Sequence, residues 1–401
     1  MSRPVHTNFP PADPADFTLV LGGPLFQLFR KFHLTGDALE LARRRILVLA
    51  VVAWLPLLLL SLLEGHAFGP AAAAPFLFDI EAHVRFLVFI PLLVSAELGV
   101  HTRIRLVAQQ FLERDLLSVE DRPRFDAALA STYRLRNSVP IELGLIAFVY
   151  VVGIAVIFRQ SLAFEAASWY AVADASGSRL SLAGWWYALV SVPLAQFLMV
   201  RWYYRIFLWA RFLRQLSSVN LRLVPTHPDR VGGLGFLSLT TFAFTPLAVA
   251  HGALVSAWIA HRLFLGQGVL LDYKFQIIAV VVLMLALVFG PLLLFSPQLS
   301  RAWRRGVHDY GSLAQRYAHD FERKWVRPPH EPTEPLLGSH DIQSMADMGG
   351  VYDVVRTMSF VLVTREALVQ VLAATLVPLA PLALFMIPFG ELVKALAGML
   401  F

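Results

Sequence analysis

Long apolar runs alternate with polar stretches along the whole chain, in the manner of a protein that crosses a membrane several times. A helix needs roughly 20 apolar residues to cross a hydrocarbon core of about 30 Å. The pattern therefore predicts an all-α fold, a polytopic transmembrane helical bundle of about seven spans, with six and eight as the bounds. The predicted spans are residues 46–63, 80–100, 139–158, 184–204, 236–260, 275–295 and 367–389.

Positive charge is distributed unevenly between the stretches that connect these spans. Of the 34 Lys and Arg residues, 28 fall in one alternating set of stretches, and basic residues are retained on the cytoplasmic side. The N-terminus and this set are therefore predicted to be cytoplasmic. The predicted divisions are a cytoplasmic or interfacial segment (1–45), a six-helix transmembrane region (46–300), a cytoplasmic helical segment (301–366) and the last span with a short tail (367–401).

Part of the cytoplasmic segment is expected to continue the sixth span as a helix. Apolar residues recur there at steps of four and three, which gives a narrow seam on one helix face. This aromatic seam must pack against another surface. Its members are Trp303, Val307, Tyr310, Ala314, Tyr317 and Phe321. After a Pro-rich connector, Ser339 or Asp341 is placed to cap a further short helix.

Composition supports a membrane protein and excludes several kinds of chemical site. The chain is 57% hydrophobic and 15% charged, whereas soluble domains have about 25% charged residues. The absence of cysteine excludes disulfides, thiolate metal ligands and a cysteine nucleophile. The net charge of +6 follows from the topology, so membrane lipids with anionic headgroups are expected neighbours and nucleic acid is not.

Two stretches resemble bacterial integral membrane proteins to which no activity is attached. They are residues 225–236, PTHPDRVGGLGF, and residues 336–344, LLGSHDIQS. The resemblance covers roughly the C-terminal half of the chain. It implies a multi-pass protein of the bacterial inner membrane, and it transfers no catalytic or binding residue.

The loop directly before the fifth span is the most specific local motif. Its glycines permit positive φ, and successive N–H groups at a helix start converge on an anion. An arginine would add a cation, and a histidine would add a titratable donor. The alternative is a tight turn for close packing, with Asp and Arg as a structural pair. The candidate anion-binding or gating residues are His227, Asp229, Arg230, Gly232 and Gly233.

Ionisable residues inside apolar runs are costly, so each needs a partner or a water-filled cavity. Glu97 lies near the cytoplasmic end of the second span and Glu142 near the start of the third. Both are candidates for a solute pathway. The alternative is that they pair with a nearby arginine, namely Arg103, Arg134 or Arg136.

The fifth span adds further pathway candidates. His251 lies near its centre, and its ordinary pKa near 6.5 makes a proton-linked role conceivable, although a hydrogen-bonded packing residue is the alternative. Thr241 and Thr245 begin a small, weakly polar stripe that continues through Ala248, Gly252 and Ser256. Such a stripe either permits close helix packing or lines a pore.

Motifs for enzymes and metal sites are missing from the sequence. It contains no nucleophile elbow, Walker A loop, dinucleotide fingerprint or metalloprotease helix, and its histidines lack ligand spacing. We therefore expect neither an enzyme nor a bound metal or cofactor. An intramembrane enzyme with an unfamiliar site stays open as an alternative.

Two functions remain from the sequence. The first is a channel or transporter for a small ion or solute, built as a homo-oligomer, in which prolines within the spans provide hinges. The second is a non-transporting membrane scaffold or sensor that docks a partner through its cytoplasmic helices, with the aromatic seam as the contact.

Overall fold

A computed structural model gives the arrangement of these segments. It describes residues 17–20, 22, 42–68, 75–163, 168–174, 177–328, 335 and 338–385, with side chains omitted at 154–163 and 172–178. The chain order is α1 (Ala42–Leu63), α2 (Ile80–Glu113), α3 (Arg122–Arg136), α4 (Val139–Ala163), α5 (Leu182–Ser217), α6 (Gly235–Phe264), α7 (Leu270–Val326), α8 (His340–Arg356) and α9 (Arg365–Leu384). The predicted all-α class is confirmed.

A short antiparallel hairpin between α4 and α5 is the exception to this class. Its strands are β1 (Ala171–Asp174) and β2 (Gly177–Leu180), paired so that Ala171 lies opposite Leu180. Four-residue strands have too few alternating positions to give a signal in the sequence. The hairpin was accordingly not predicted.

Among the residues that the structure describes, six helices are long and apolar enough to cross a membrane, namely α1, α2, α5, α6, α7 and α9. The number rises to seven if α3 and the first part of α4, which meet at a bend of 48°, are counted as one broken span. This count of six to seven agrees with the predicted number of spans, and each predicted span overlaps one helix.

Prolines coincide with local changes in helix type. The π-helical segments Arg85–Phe89 and Tyr187–Ser191 each end two residues before a proline. The 3₁₀ segments Gly235–Phe244 and Gly290–Phe295 likewise precede one. A proline has no N–H and its ring clashes with the carbonyl four residues earlier, so the preceding turn changes its hydrogen-bonding register. The prolines are Pro91, Pro193, Pro246 and Pro297.

One apolar core joins most of the helices. α2 packs on α1 and α6, α5 packs on α3, α4 and α7, and α6 packs on α9. The second half of α7 leaves this core and pairs with α8 as a helical hairpin. α9 passes into a 3₁₀ segment, Val377–Phe385, and the end of the last predicted span, residues 386–389, lies outside the described residues.

Candidate functional site

A buried carboxylate joins three helices at the end of the bundle that holds α3. Glu97 of α2 pairs with Arg45 of α1 through Oε2 and with Arg205 of α5 through Oε1, the latter over 2.7 Å. All three side chains are at most 5% exposed. The geometry matches the alternative of an arginine partner for Glu97, but the partners are Arg45 and Arg205 rather than Arg103, Arg134 or Arg136.

A second carboxylate lies beside this triad. Glu142 of α4 lies 3.8 Å from Nε of Arg201, which is one turn before Arg205 on α5. Glu142 therefore also has an arginine partner different from those expected. The inner charge cluster, which we define as Arg45, Glu97, Glu142, Arg201 and Arg205, holds three cations and two anions.

Residues near the N-terminus cover the inner charge cluster. A cavity of about 20 Å³, enough for one water molecule, is lined by Arg201, Arg205, Glu142, Arg136 and neighbouring apolar side chains. Arg136 donates a hydrogen bond to the Thr18 carbonyl oxygen over 2.7 Å. The cavity is thus closed on one side by the chain itself.

An aromatic anchor fixes this N-terminal stretch. The ring of Phe17 is fully buried, with its centroid 4.8 Å from that of Phe212 and 5.9 Å from that of Tyr133. The Thr18 hydroxyl is also 2.9 Å from Nδ1 of His101. These contacts tie the stretch to α2, α3 and α5.

The loop before α6 uses its own carboxylate as the acceptor for its converging N–H groups. Asp229 accepts hydrogen bonds from the backbone of Val231, Gly233 and Gly235 over 2.9, 3.1 and 2.9 Å. Partial burial alone would raise the pKa of Asp229, but these N–H donors, together with His227, hold it below its ordinary value. The donors assigned to an external anion are therefore already occupied.

The other predicted residues of this loop have structural positions. His227, not Arg230, pairs with Asp229, with 2.9 Å between Nδ1 and Oδ1. Arg230 has a φ of +56°, its side chain is exposed and its carbonyl oxygen accepts from the N–H of Ser359. Gly232 and Gly233 have φ of +67° and +97°, which a side chain would strain. The geometry matches the tight-turn alternative, with His227 rather than Arg230 beside Asp229.

His251 is fully hydrogen-bonded inside the bundle. Its Nδ1 lies 2.8 Å from the Leu247 carbonyl oxygen, which can only accept, so this nitrogen carries the proton. Nε2 then accepts from the Tyr203 hydroxyl over 2.8 Å. These two bonds satisfy the neutral imidazole, as the packing alternative requires.

The small polar stripe of α6 faces α9. A Cβ on Gly252 would lie 2.2 Å from the Thr375 carbonyl oxygen, so the two helices approach as closely as glycine permits. Thr241 is buried and donates to the Ser238 carbonyl oxygen, and Thr245 accepts from Gln370 of α9 over 2.7 Å. The stripe is thus a helix-packing surface in this arrangement.

A polar and aromatic cluster lies at the opposite end of the bundle, and the sequence analysis named none of its residues as site candidates. Arg85 pairs with Glu81, one turn earlier on α2, and also donates to the Tyr187 hydroxyl over 2.6 Å. Asp79 accepts from Trp169 over 2.8 Å and lies 3.8 Å from His261. The available signal was the density of charged residues at the start of α2.

The aromatic seam of α7 has a partner in the same chain. It packs against α8, where Tyr317 donates to the Asp341 carbonyl oxygen over 3.2 Å. Trp303 meets Phe360, which follows α8, edge to face at 5.1 Å. Ser339 caps α8 as predicted. Hydrogen bonds from Lys324 and Trp325 hold the pKa of Asp341 below its ordinary value.

Comparison with known proteins adds no assignment to this geometry. No family model, curated protein or solved structure matches the chain. Across the described residues, no group of three or more His, Asp or Glu side chains is arranged to hold a metal ion. Function must therefore be argued from the arrangement of the side chains themselves.

Proposed function

We propose that the chain is a multi-pass protein of the bacterial inner membrane with a cytoplasmic N-terminus. Support comes from an inverted distribution of polarity. Arg45 and Glu97 are almost completely buried, whereas Leu47 is 63% exposed and Phe275 is 71% exposed on the outward faces of α1 and α7. Water would favour the opposite arrangement, and a hydrocarbon environment favours this one.

Cysteine labelling tests this placement without background, because the chain has no cysteine. Gln267→Cys lies in the α6–α7 turn and Gln343→Cys lies on α8, and both positions are exposed. A membrane-impermeant maleimide added to intact cells should label the first variant and spare the second until the cells are opened. Labelling of Gln343→Cys in intact cells would contradict the proposed topology.

Within the membrane class, the geometry best supports the non-transporting scaffold or sensor. The main observation in its support is that α7 is one continuous helix. Its 57 residues extend about 85 Å, far more than the roughly 30 Å of a hydrocarbon core. Its apolar first half belongs to the bundle and its second half to the hairpin with α8. A tilt of the first half would therefore move the hairpin.

The start of the second half of α7 is held against the bundle by close contacts. A Cβ on Gly306 of α7 would lie 2.6 Å from Cβ of Pro225, just before the Asp229 turn. The same turn binds Ser359, which follows α8, over 2.7 Å. A movement of the helices that contact this turn would therefore move the α7–α8 hairpin. A movement of the hairpin would likewise move those helices.

The outer surface of the hairpin is where a partner would dock in this proposal. Ile342 and Met345 are 43% and 37% exposed on α8. A photo-crosslinking amino acid at Met345 should yield a stoichiometric product with a different protein in native membranes. The same amino acid at Leu283, 42% exposed on the apolar half of α7, serves as the control. Products containing only this chain would argue against the scaffold.

One observation favours the second function, a homo-oligomeric conduit for a small ion or solute. The cavity beside the inner charge cluster is lined by Arg136, Arg201 and Arg205 with Glu142 as its carboxylate, an excess of positive charge suited to an anion. Residues 17–20 would then act as its cover. Deletion of residues 1–22 should raise anion flux into liposomes, and Arg201→Gln in that background should lower it. Absence of flux from both proteins would reject the conduit.

A further inference from the structure

An apolar groove with a basic end runs between α5 and α7 on the surface of the bundle. Its volume is about 1020 Å³, and one wall is the last part of α5 from Tyr203, with Ser218 directly after it. The other wall is the region of α7 where the α-helix changes to a 3₁₀ helix at Gly290. Nothing lies within 4 Å of a Cβ built on Gly290, so the missing side chain contributes to the opening.

Polarity changes steadily along this groove. Ile206 and Phe207 line one end together with Leu287 and Leu294, whereas Arg211 and Arg214 line the other end with glutamine and serine side chains. From Tyr203 to Ser218 the helix rises about 22 Å, which is one leaflet of hydrocarbon, about 15 Å, plus part of a headgroup layer. In the proposed topology the basic end is cytoplasmic.

The basic end has capacity for a ligand. Arg211 donates from Nη1 to the Ser131 hydroxyl over 2.7 Å, and Arg214 is exposed. In the described part of the chain, neither guanidinium forms an ion pair with a carboxylate. The side-chain oxygen of Gln215 is buried there without a hydrogen-bond partner among the same residues. Two cations and an unsatisfied acceptor thus face the same end of the groove.

We infer that this groove binds an anionic phospholipid of the cytoplasmic leaflet. Its phosphate would lie between Arg211 and Arg214, a headgroup hydroxyl would donate to Gln215, and one acyl chain would follow the apolar wall past Gly290. The charge and the apolar wall together favour a lipid over a free anion. The guanidinium groups hold the phosphate of either ligand, but only a lipid has an acyl chain that packs along the apolar wall. The inference rests on the proposed membrane placement and on neither of the two candidate activities.

Native mass spectrometry of the full chain in detergent tests this inference with three defined probes. Phosphatidylglycerol should bind, phosphatidylcholine should bind about tenfold more weakly, and inorganic phosphate should give no retained adduct. Equal binding of the two lipids would overturn the proposed headgroup site. Retention of phosphate alone would identify an anion site without a lipid.

Two sets of variants separate the headgroup end from the acyl end. R211Q/R214Q should lower affinity for phosphatidylglycerol about tenfold and leave phosphatidylcholine unchanged. R304Q/R305Q makes the same change in charge at a neighbouring hollow of about 380 Å³ and should have little effect. Unchanged phosphatidylglycerol binding by R211Q/R214Q would refute the assignment.

Gly290→Leu addresses the acyl end. It should weaken binding of both lipids because its side chain would occupy the groove. Gly350→Leu is the control, since a Cβ on Gly350 also meets nothing within 4 Å but lies on α8. Equal lipid binding by the two glycine variants would remove the acyl chain from this groove. Membrane placement is tested independently by the labelling of Gln267→Cys, so a failure of either proposal can be recognised.

Discussion

Arg85 donates a hydrogen bond to the Tyr187 hydroxyl over 2.6 Å, and each residue is the first of a five-residue π-helical segment. Each segment is also followed by a proline at the same distance, Pro91 and Pro193. The hydrogen bond therefore joins α2 and α5 at the residue where each helix changes from α-helical to π-helical hydrogen bonding. π-Helical turns are rare and concentrate at functional sites, so this contact marks the α2–α5 interface as a specified feature of the fold.

Tyr187→Phe removes this hydrogen bond and leaves the aromatic packing. The expected loss is about 1.5–3 kcal/mol of unfolding free energy, because the acceptor of a charged donor is removed. Unfolding in detergent by a denaturant series would measure it. Tyr310→Phe, on α7 outside the bundle, should change stability by less than about 0.5 kcal/mol. Equal stability of the two variants would show that the Arg85 contact contributes nothing.

Glu97→Gln should be among the most destabilising single changes in the chain. It removes the Glu97 charge from beside the buried Arg45 and Arg205, and breaking a buried pair in this way costs about 3–5 kcal/mol. Glu113→Gln, at the exposed end of the same helix, is the matched control. Thermal unfolding of both purified variants would suffice, and similar melting temperatures would contradict the structural role of Glu97.

The partners of Glu97 illustrate what the sequence could and could not reveal. Apolar runs are local signals, and they predicted the membrane-length helices and the continuation of the sixth predicted span into the aromatic seam, but not α3. Arg45 and Arg205 lie 52 and 108 positions from Glu97, so only the packing of three helices identifies them. A carboxylate inside an apolar run signalled that a partner exists, but not which one.

The turn around Asp229 also shows which features the sequence predicts and which it does not. Its glycines and its carboxylate were recognised as a specific motif, and the positive φ values of Gly232 and Gly233 agree with that reading. The acceptor of the N–H groups could not be decided, because an external anion and Asp229 itself satisfy the same donors. The local sequence identified the N–H donors, and the folded turn identified Asp229 as their acceptor.

Asp229→Asn should weaken this turn in a pH-dependent manner. The folded-state pKa of Asp229 is depressed, so the stability it contributes is present above the unfolded pKa of about 3.9 and is lost as pH falls through the lower folded value. The wild-type protein should therefore be more stable than the variant near neutral pH, with the difference shrinking below about pH 4. Denaturant unfolding of both proteins at several pH values measures this. Asp309→Asn, an exposed site, should show no such difference.

Gly252→Ala tests whether the polar stripe of α6 is a packing surface or a pore lining. An added Cβ would lie 2.2 Å from the Thr375 carbonyl oxygen, so α6 and α9 must separate, and overpacking of this kind costs about 1–3 kcal/mol. Gly144→Ala, on α4 with nothing within 4 Å, should instead stabilise by up to about 1 kcal/mol through helix propensity. The two substitutions are chemically identical, so an opposite sign of the change in melting temperature isolates the α6–α9 contact. If Gly252→Ala left stability unchanged, α6 and α9 would be separated there, and the stripe would be free to line a path.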